Sequence, residues 1–300
     1  MTESLRELLG EELNRPVPTT VQAVGKTLRD RYQRAIVAVL FYGSCLRAPE
    51  AELGDNLLDF YVLVDDYGKA YDKTWLAIAN RLLPPNAFYC ETDWQGARIR
   101  AKYVVISLDD FVRGCSPATR NVSIWARFAQ PARIVWARDP ATSERILGAC
   151  MDAVRTMLRR VWPLEPASRD AAILWQRGFR ETYAAELRPE SGDRAVHIFE
   201  ADRGRYEKLA AIVLAELGKP ETSPETAARA WRGRRRLGKT LNLLRIIKGI
   251  FTFDGGLDYA LWKIRRHSGI TVPVTDWQRR HPLLAAPRLA WRLYRLGAFR

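Results

Sequence analysis

Residues able to handle a phosphorylated ligand cluster in two short stretches of this chain. Phe41-Tyr42-Gly43-Ser44 ends an almost wholly apolar, β-leaning run that begins at Ala35. Gly43 has no side chain to keep a phosphate from the backbone, and Ser44 adds a hydroxyl and an N–H. Fifteen residues after Ser44, Asp59 opens a second β-rich run, Leu57 to Val64. If the two strands are neighbours, the carboxylate of Asp59 lies beside the Gly-Ser turn. A nucleoside triphosphate needs that combination: donors for its outer phosphates, and a carboxylate for the Mg²⁺ that neutralises them.

Sites of this kind often carry a second acid two residues along, on the same strand face, and here that position is Tyr61. Asp65 shares the alternating face, but six residues of straight strand put it roughly 20 Å from Asp59, whereas paired metals sit about 4 Å apart. Asp65 is therefore no ligand while the strand stays straight. The second ligand is sought among Asp55, Asp65 and Asp93, and Asp55 is taken with Asp59 as the expected metal pair.

In order along the chain, Phe41-Tyr42-Gly43-Ser44, Leu58-Asp59-Phe60, Trp75, Tyr89, Ala101-Lys102-Tyr103-Val104-Val105 and Trp125-Ala126-Arg127-Phe128-Ala129-Gln130-Pro131 resemble the Tam41-type (Mmp37) phosphatidate cytidylyltransferases. These are peripheral enzymes that make CDP-diacylglycerol. The resemblance spans roughly residues 35–137, and Cys45, Val104 and Ala126 stand where that family carries Gly. It implies a nucleotidyltransferase α/β (α+β) fold followed by a mainly helical, winged-helix-like domain. It also implies CTP and phosphatidate as substrates, Mg²⁺ as cofactor, and a strand that lacks a strict Asp-x-Asp. On this reading Asp59 and Lys102 are catalytic: Asp59 holds the metal, and Lys102 neutralises developing charge. Gly43 and Ser44 take the outer phosphates, and Tyr42, Tyr61, Arg98 and Arg100 complete the nucleotide-contacting set. Two rival readings remain: transfer to another acceptor such as RNA or a small molecule, and an inactive domain kept as a basic membrane- or nucleic-acid-binding module. No RNP-like interleaving of aromatic and basic residues occurs, so nucleic acid is not the expected partner.

Composition bounds these readings. The 300 residues are 47% hydrophobic and 10% aromatic, ample for a packed core, and the net charge of +14 favours polyanions or an anionic membrane surface. Cys45, Cys90, Cys115 and Cys150 are scattered, and His197, His267 and His281 have no ligand spacing, so a zinc site is not expected and a reducing compartment is. No run of about 18 apolar residues exists, and the N-terminus carries no signal-like core. The expected location is cytoplasmic, peripheral on the inner face of the membrane.

Several elements must position these residues. Ser4 and Glu7 form a capping-box pair for a helix over 3–13, and Thr19/Thr20 cap a second helix to about Arg34. After the two strands, 70–83 is helical in period and stops at Pro84-Pro85, with Trp75 read as core. From Ala97 to Ile106 the chain alternates, with Arg98, Arg100 and Lys102 on one strand face. Those arginines fit either a phosphate-binding row or a solvated edge. Ser107 caps the helix that follows. Past residue 140 the pattern turns helical (143–161, 168–187, 203–217), which divides the chain into a catalytic domain 1–140, a helical domain 141–222 and a basic region 223–300.

Within the basic region Gly233-Arg234-Arg235-Arg236-Leu237-Gly238-Lys239-Thr240 spells GxxxxGK[ST]. A P-loop needs a strand leading in, and Pro224–Arg232 reads as helix, so these residues are expected to be a basic surface segment. After Asp276 there are arginines and no acids; Arg288, Arg292 and Arg295 form a cationic stripe beside Leu289, Leu293 and Leu296. Such a basic amphipathic C-terminal helix suits an anionic bilayer.

Overall fold

A computed structural model describes residues 4–186, 193–252 and 273–280, together with 285, 288, 291, 292 and 295. Its elements run α1 (Leu5–Asn14), α2 (Thr19–Tyr32), β1 (Ile36–Tyr42), β2 (Leu57–Val64), α3 (Tyr67–Ala70), α4 (Thr74–Leu82), β3 (Asn86–Trp94), β4 (Ala97–Ser107), α5 (Leu108–Cys115), α6 (Trp125–Phe128), β5 (Ala132–Ala137), α7 (Pro140–Val161), α8 (Ala171–Ala184), α9 (Arg194–Ala201), α10 (Arg203–Leu217) and α11 (Pro224–Thr252). The strands make one mixed sheet in the order β3-β4-β2-β1-β5. β2 and β4 pair in parallel, and every other neighbouring pair is antiparallel.

Every residue of β1 is buried, as expected for a strand covered on both faces. One face, with Val39, Phe41, Phe60, Val62, Tyr103 and Val105, packs on Val21, Val24 and Leu28 of α2. The other face, with Leu40, Tyr42, Tyr61, Leu63, Val104 and Ile106, packs in one apolar cluster with α1, α5, α6 and the helices α7 to α10. This one cluster holds residues on both sides of position 140. The helical layer is thus built onto the sheet. The described residues after β5 hold helices and no strands, so they contain no β-wing of a winged helix.

Local chemistry accounts for the element ends. Ser4 and Glu7 form the capping box of α1, and the side chain of Ser107 accepts from the Asp110 N–H at the start of α5. Thr19 and Thr20 lie inside α2, whose N-cap is Pro18; Thr19 instead donates from its N–H and hydroxyl to Glu50, at 3.0 and 2.9 Å. Trp75 is 44% exposed and is not core: with Ile78 and Leu82 it lies on the outer side of α4. Asn80, on the inner side, donates to the Val105 carbonyl and accepts from the Asn86 N–H, fixing α4 to the sheet.

The segment 233–240 lies inside α11, with helix on both sides, and so makes no phosphate-wrapping loop. It is only partly a surface segment. Trp231 is fully buried, Arg235 pairs with Glu181, and Gly238 is buried. A Cβ on Gly238 would stand 2.5 Å from the Ala185 carbonyl oxygen, so the glycine lets α11 touch the end of α8. In the C-terminal stretch Arg288, Arg292 and Arg295 are helical and exposed, while Leu289, Leu293 and Leu296 lie outside the described residues.

Candidate active site

The register of the sheet sets out the first half of the site. Tyr42 on β1 pairs with Asp59 on β2, and Asp59 pairs with Lys102 on β4. Directly paired residues project to the same face of a sheet, so Tyr42, Asp59 and Lys102 form a row across three strands. Gly43 follows Tyr42 with φ of +93°, a conformation that disfavours any side chain, and a Cβ there would lie 3.3 Å from Asp59 Oδ2. The chain can therefore turn directly over the carboxylate. Ser44 begins the 3-10 turn Ser44–Arg47 beside it.

A second row, Ala87, Val104 and Tyr61, runs parallel to the first, two residues deeper into the sheet. Tyr61 is buried among aromatic rings, 5.2 Å from Tyr42 and 4.9 Å from Phe128 between centroids. Burial pushes its hydroxyl pKa above the ordinary value. The position where a second acid would stand is thus filled by a neutral ring that packs against the helical layer.

Both rows open on a cavity of about 560 Å³ between the sheet and the helices. Its lining includes Gly43, Ser44, the loop before β5, the ends of α8 and α9, and one side of α11. The cations Arg47, Lys102, Arg127, Arg194, Arg245 and Lys248 face it, against the acids Asp59 and Glu186. Cationic walls of low dielectric concentrate anions.

Arg127 sits in the middle. Its guanidinium lies 5.1 Å from the Tyr42 ring centre and 3.8 Å from Glu186. Burial disfavours its charge, but the surrounding acidic groups, Tyr42, Tyr61, Glu186 and Asp59, outweigh burial and hold its pKa above the usual arginine value. Arg47 reaches out of the cavity to Asp202, its Nε 2.9 Å from the carboxylate.

Arg245 and Lys248 come from α11. Gly238, Asn242, Arg245 and Gly249 recur at three- and four-residue spacing, one stripe on the helix, so the close contact at Gly238 aims the later residues into the cavity. Arg245 donates to the Pro84 carbonyl at 2.8 and 3.1 Å and to Ser123 Oγ at 2.7 Å. Lys248 donates to the carbonyls of Leu83 and, at 2.9 Å, of Pro85. Burial lowers the pKa of both. For Lys248 the neighbouring Arg245 adds to burial, bringing the amine to about 7.

Of the residues singled out in the sequence, the fold gathers Tyr42, Gly43, Ser44, Asp59, Tyr61 and Lys102 around this cavity. Arg98 and Arg100 share the strand face of Lys102 but not the cavity. Arg98 lies 3.4 Å from Glu91 and 3.5 Å from Asp93, and Arg100 lies 3.8 Å from Glu91, all across the β3-β4 pair. Asp93 is therefore an edge residue. Asp65, at the far end of β2, pairs with Lys69 and Arg138 at 3.3 and 3.7 Å. Asp55 closes a 3-10 turn two residues before β2, and its side chain lies outside the described residues. Among the described residues no three of His, Cys, Asp and Glu come together as a metal-binding group. The donor set suits a hard cation held by Asp59 and by phosphate oxygens of a ligand, the usual situation for Mg²⁺ at nucleotide sites.

Sequence reasoning did not assign Arg47, Arg127, Glu186, Arg194, Arg245 or Lys248 to the site. Arg127 lay within a quoted motif, and Arg245 and Lys248 carried one usable signal, their spacing of seven and ten residues after Gly238.

No family model matches this chain, and no curated protein does. Among solved structures, a nucleotidyltransferase-like protein from Exiguobacterium sibiricum 255-15 is similar at 14% identity over 92% of each chain, with a TM-score of 0.27. A superposition at that TM-score carries no weight for chemistry.

Proposed function

We propose that this chain is a nucleotidyltransferase that transfers the CMP group of CTP to phosphatidate, yielding CDP-diacylglycerol and pyrophosphate. The observation that carries the nucleotidyl-transfer reading is the row Tyr42–Asp59–Lys102 with the Gly43 turn folded over it, opening on a cavity rich in cations. CTP and phosphatidate rest on the sequence resemblance over roughly residues 35–137.

In this mechanism the triphosphate lies against the Gly43–Ser44 turn, where N–H groups and the hydroxyl take its outer oxygens. Lys102 stands beside Asp59 and stabilises the negative charge that gathers on the transferring and leaving phosphates. A phosphate oxygen of the acceptor bonds to the α-phosphorus while the bond from α-phosphorus to the β-bridging oxygen breaks. The electron pair departs with pyrophosphate. The attacking oxygen is already anionic, so no general base is required. Mg²⁺, when held by Asp59 and the phosphates, would supply further charge neutralisation. Burial of Tyr42 and Tyr61 against Phe128 keeps water from the sheet side of the reacting groups.

Among the described residues no helix is long and apolar enough to cross a membrane. A peripheral position on the inner membrane face is supported by the net charge and by the exposed Trp277 and Trp291 in the C-terminal stretch. Purified protein incubated with CTP, Mg²⁺ and phosphatidate in detergent micelles should give CDP-diacylglycerol by lipid mass analysis. Absence of any nucleotidyl-lipid across a panel of nucleoside triphosphates removes the lipid acceptor. The buried Tyr61, in place of a second carboxylate, favours one other reading, a domain that binds nucleotide without turning it over; binding of Mg²⁺–CTP without pyrophosphate release on any acceptor would select it.

A further inference from the structure

Two features of the cavity are left unused by a triphosphate lying on the Gly43 turn. The floor has a second row, Ala87–Val104–Tyr61, displaced from the Asp59 row by two residues, about 7 Å along the strands. That spacing seats two phosphate groups side by side. Beside this deeper row stand Arg245 and Lys248, which hold the carbonyls of Leu83, Pro84 and Pro85 immediately before β3. Arg245 stands close enough to depress Lys248, and Arg127 depresses Arg245 in turn, while Tyr61 and Glu186 act on Arg245 in the opposite sense. Among the described lining residues six cations face the cavity against two acids, Asp59 and Glu186. Crowded, half-buried cations are relieved by an anion that enters between them, and a cavity gives it access.

We propose that Arg245 and Lys248, with Arg127 shared between the two rows, form a second anion subsite that binds the phosphate monoester of the acceptor. The role as acceptor site rests on the nucleotidyl-transfer reading; the existence of a monoester site does not. A monoester at this row presents its oxygens toward the Asp59 row, where the α-phosphorus of the donor would lie. The carbon side of the ester faces Pro85 and Ala87, apolar groups that make no demand on its substituent.

The full-length protein would be titrated calorimetrically with sn-glycerol 3-phosphate, with phosphatidate in neutral-detergent micelles and, separately, with CTP. Arg245→Gln and Lys248→Met should each weaken monoester binding about tenfold or more, the scale of one charge-assisted hydrogen bond. CTP affinity should change less than about threefold. Lys248→Arg should keep most of the binding, and Lys239→Met, on the exposed side of α11, should keep all of it. Tighter binding of phosphatidate than of glycerol phosphate identifies a lipid source for the ester, and the reverse identifies a soluble one. Equal loss of CTP and monoester binding overturns the proposal, because the cations then belong to the triphosphate site. So does a parent protein that binds CTP and neither monoester. A protein that binds the monoesters through these residues but not CTP keeps the subsite and sinks the nucleotidyl-transfer reading instead. Should the neutral variants melt early, Lys248→Arg decides: a folded Lys248→Arg that has lost monoester binding overturns the assignment.

Discussion

The two walls of the cavity are assembled in different ways. On the sheet wall, Tyr42, Asp59 and Lys102 are held by backbone ladders on three strands, so their alignment follows from register. On the helical wall, Arg245 and Lys248 hang from one long helix whose approach depends on a glycine touching the Ala185 carbonyl. A register is secured by many hydrogen bonds at once, and slipping it by one residue would turn every side chain to the wrong face. A helix contact can yield by fractions of an ångström. The sheet wall is therefore suited to fixed chemistry and the helical wall to adjustable recognition, and the two should respond differently to perturbation.

The largest effect belongs to the sheet wall. Asp59→Asn keeps shape and removes the charge that would hold a metal, so nucleotidyl transfer should fall at least about a hundredfold with the circular dichroism and melting temperature nearly unchanged. Retention of more than about a tenth of the rate, less than about 1.4 kcal/mol in the barrier, sinks the role of Asp59. Gly43→Ala should also be severe. It forces a side chain into φ of +93°, with a Cβ 3.3 Å from Asp59 Oδ2. A cost of about 1–2 kcal/mol in urea unfolding is expected, with loss of CTP binding.

Gly238→Ala tests the helical wall. Its Cβ meets the Ala185 carbonyl at 2.5 Å, so α11 must shift. Overpacking of this kind costs about 1–3 kcal/mol. Asp59 and Lys102 are untouched, so CTP binding should survive while phosphate monoester binding weakens. A variant with parental stability and parental monoester affinity would show that α11 does not depend on this contact.

The same contrast explains what was legible in the sequence. Strands β1, β2 and β4 were readable because alternation and apolar runs are local signals, and Gly43, Asp59 and Lys102 sit at fixed phases of those signals. Strand β3 was not anticipated: Asn86–Trp94 carries Glu91, Thr92 and Asp93 and resembles a polar loop until β4 supplies its partner. Trp75 fitted a core pattern by composition and period, yet with Ile78 and Leu82 it lies on the side of α4 turned away from the sheet and stays 44% exposed. The P-loop letters were correctly set aside for want of a leading strand. What they concealed was a packing glycine, because a contact between α8 and α11, more than fifty residues apart, leaves no periodic trace. Glu186, Arg127 and Arg245 likewise converge only through that packing.

A smaller effect sharpens the comparison through pH. Lys248 is held at about 7 by burial first and by Arg245 next, well below an ordinary lysine. Arg245 lies on its own helix; Arg127, Lys102, Glu186, Asp59 and Tyr61 line the same cavity, and the neighbouring loop offers only carbonyls. The unfolded chain holds this proton more tightly than the native state does. Stability should therefore rise with pH from about 7 toward about 10.5, and the cost of the buried cation should be fully present below 7. Anion binding runs the other way, weakening as pH rises through 7. Phosphate monoesters ionise in the same window, with a second pKa of about 6, so sulfate, of fixed charge, is the cleaner probe. Its affinity should drop about tenfold or less between pH 6 and pH 8 in the parent, and Lys248→Met should abolish the slope. A slope that persists in Lys248→Met assigns the titration to another group.

The smallest effect is expected at Arg98 and Arg100, which share a strand face with Lys102 and illustrate what a partner does to a cation. Along β4 the three positions alternate identically, and by sequence any of them could face a phosphate. Pairing of β3 with β4 sets Glu91 opposite Arg100 and Asp93 opposite Arg98. Their charges are met by carboxylates across the strand pair, whereas Arg245 on the opposite wall donates to the uncharged Pro84 carbonyl and Ser123 hydroxyl and feels Glu186 only electrostatically among the described residues. Partly exposed ion pairs of this kind contribute about 0–1 kcal/mol. Arg98→Gln and Arg100→Gln should accordingly change transfer rate and CTP affinity by less than about threefold and stability by under about 1 kcal/mol. The two variants also discriminate between readings of the cavity. If either lowers CTP affinity about tenfold, the triphosphate extends along β4 beyond Lys102, the Glu91 pairing opens on binding, and the anion-binding surface continues out of the cavity along the sheet edge. If both are silent while Arg245→Gln is not, position on the strand face matters less than the chemistry of the group that each cation already faces.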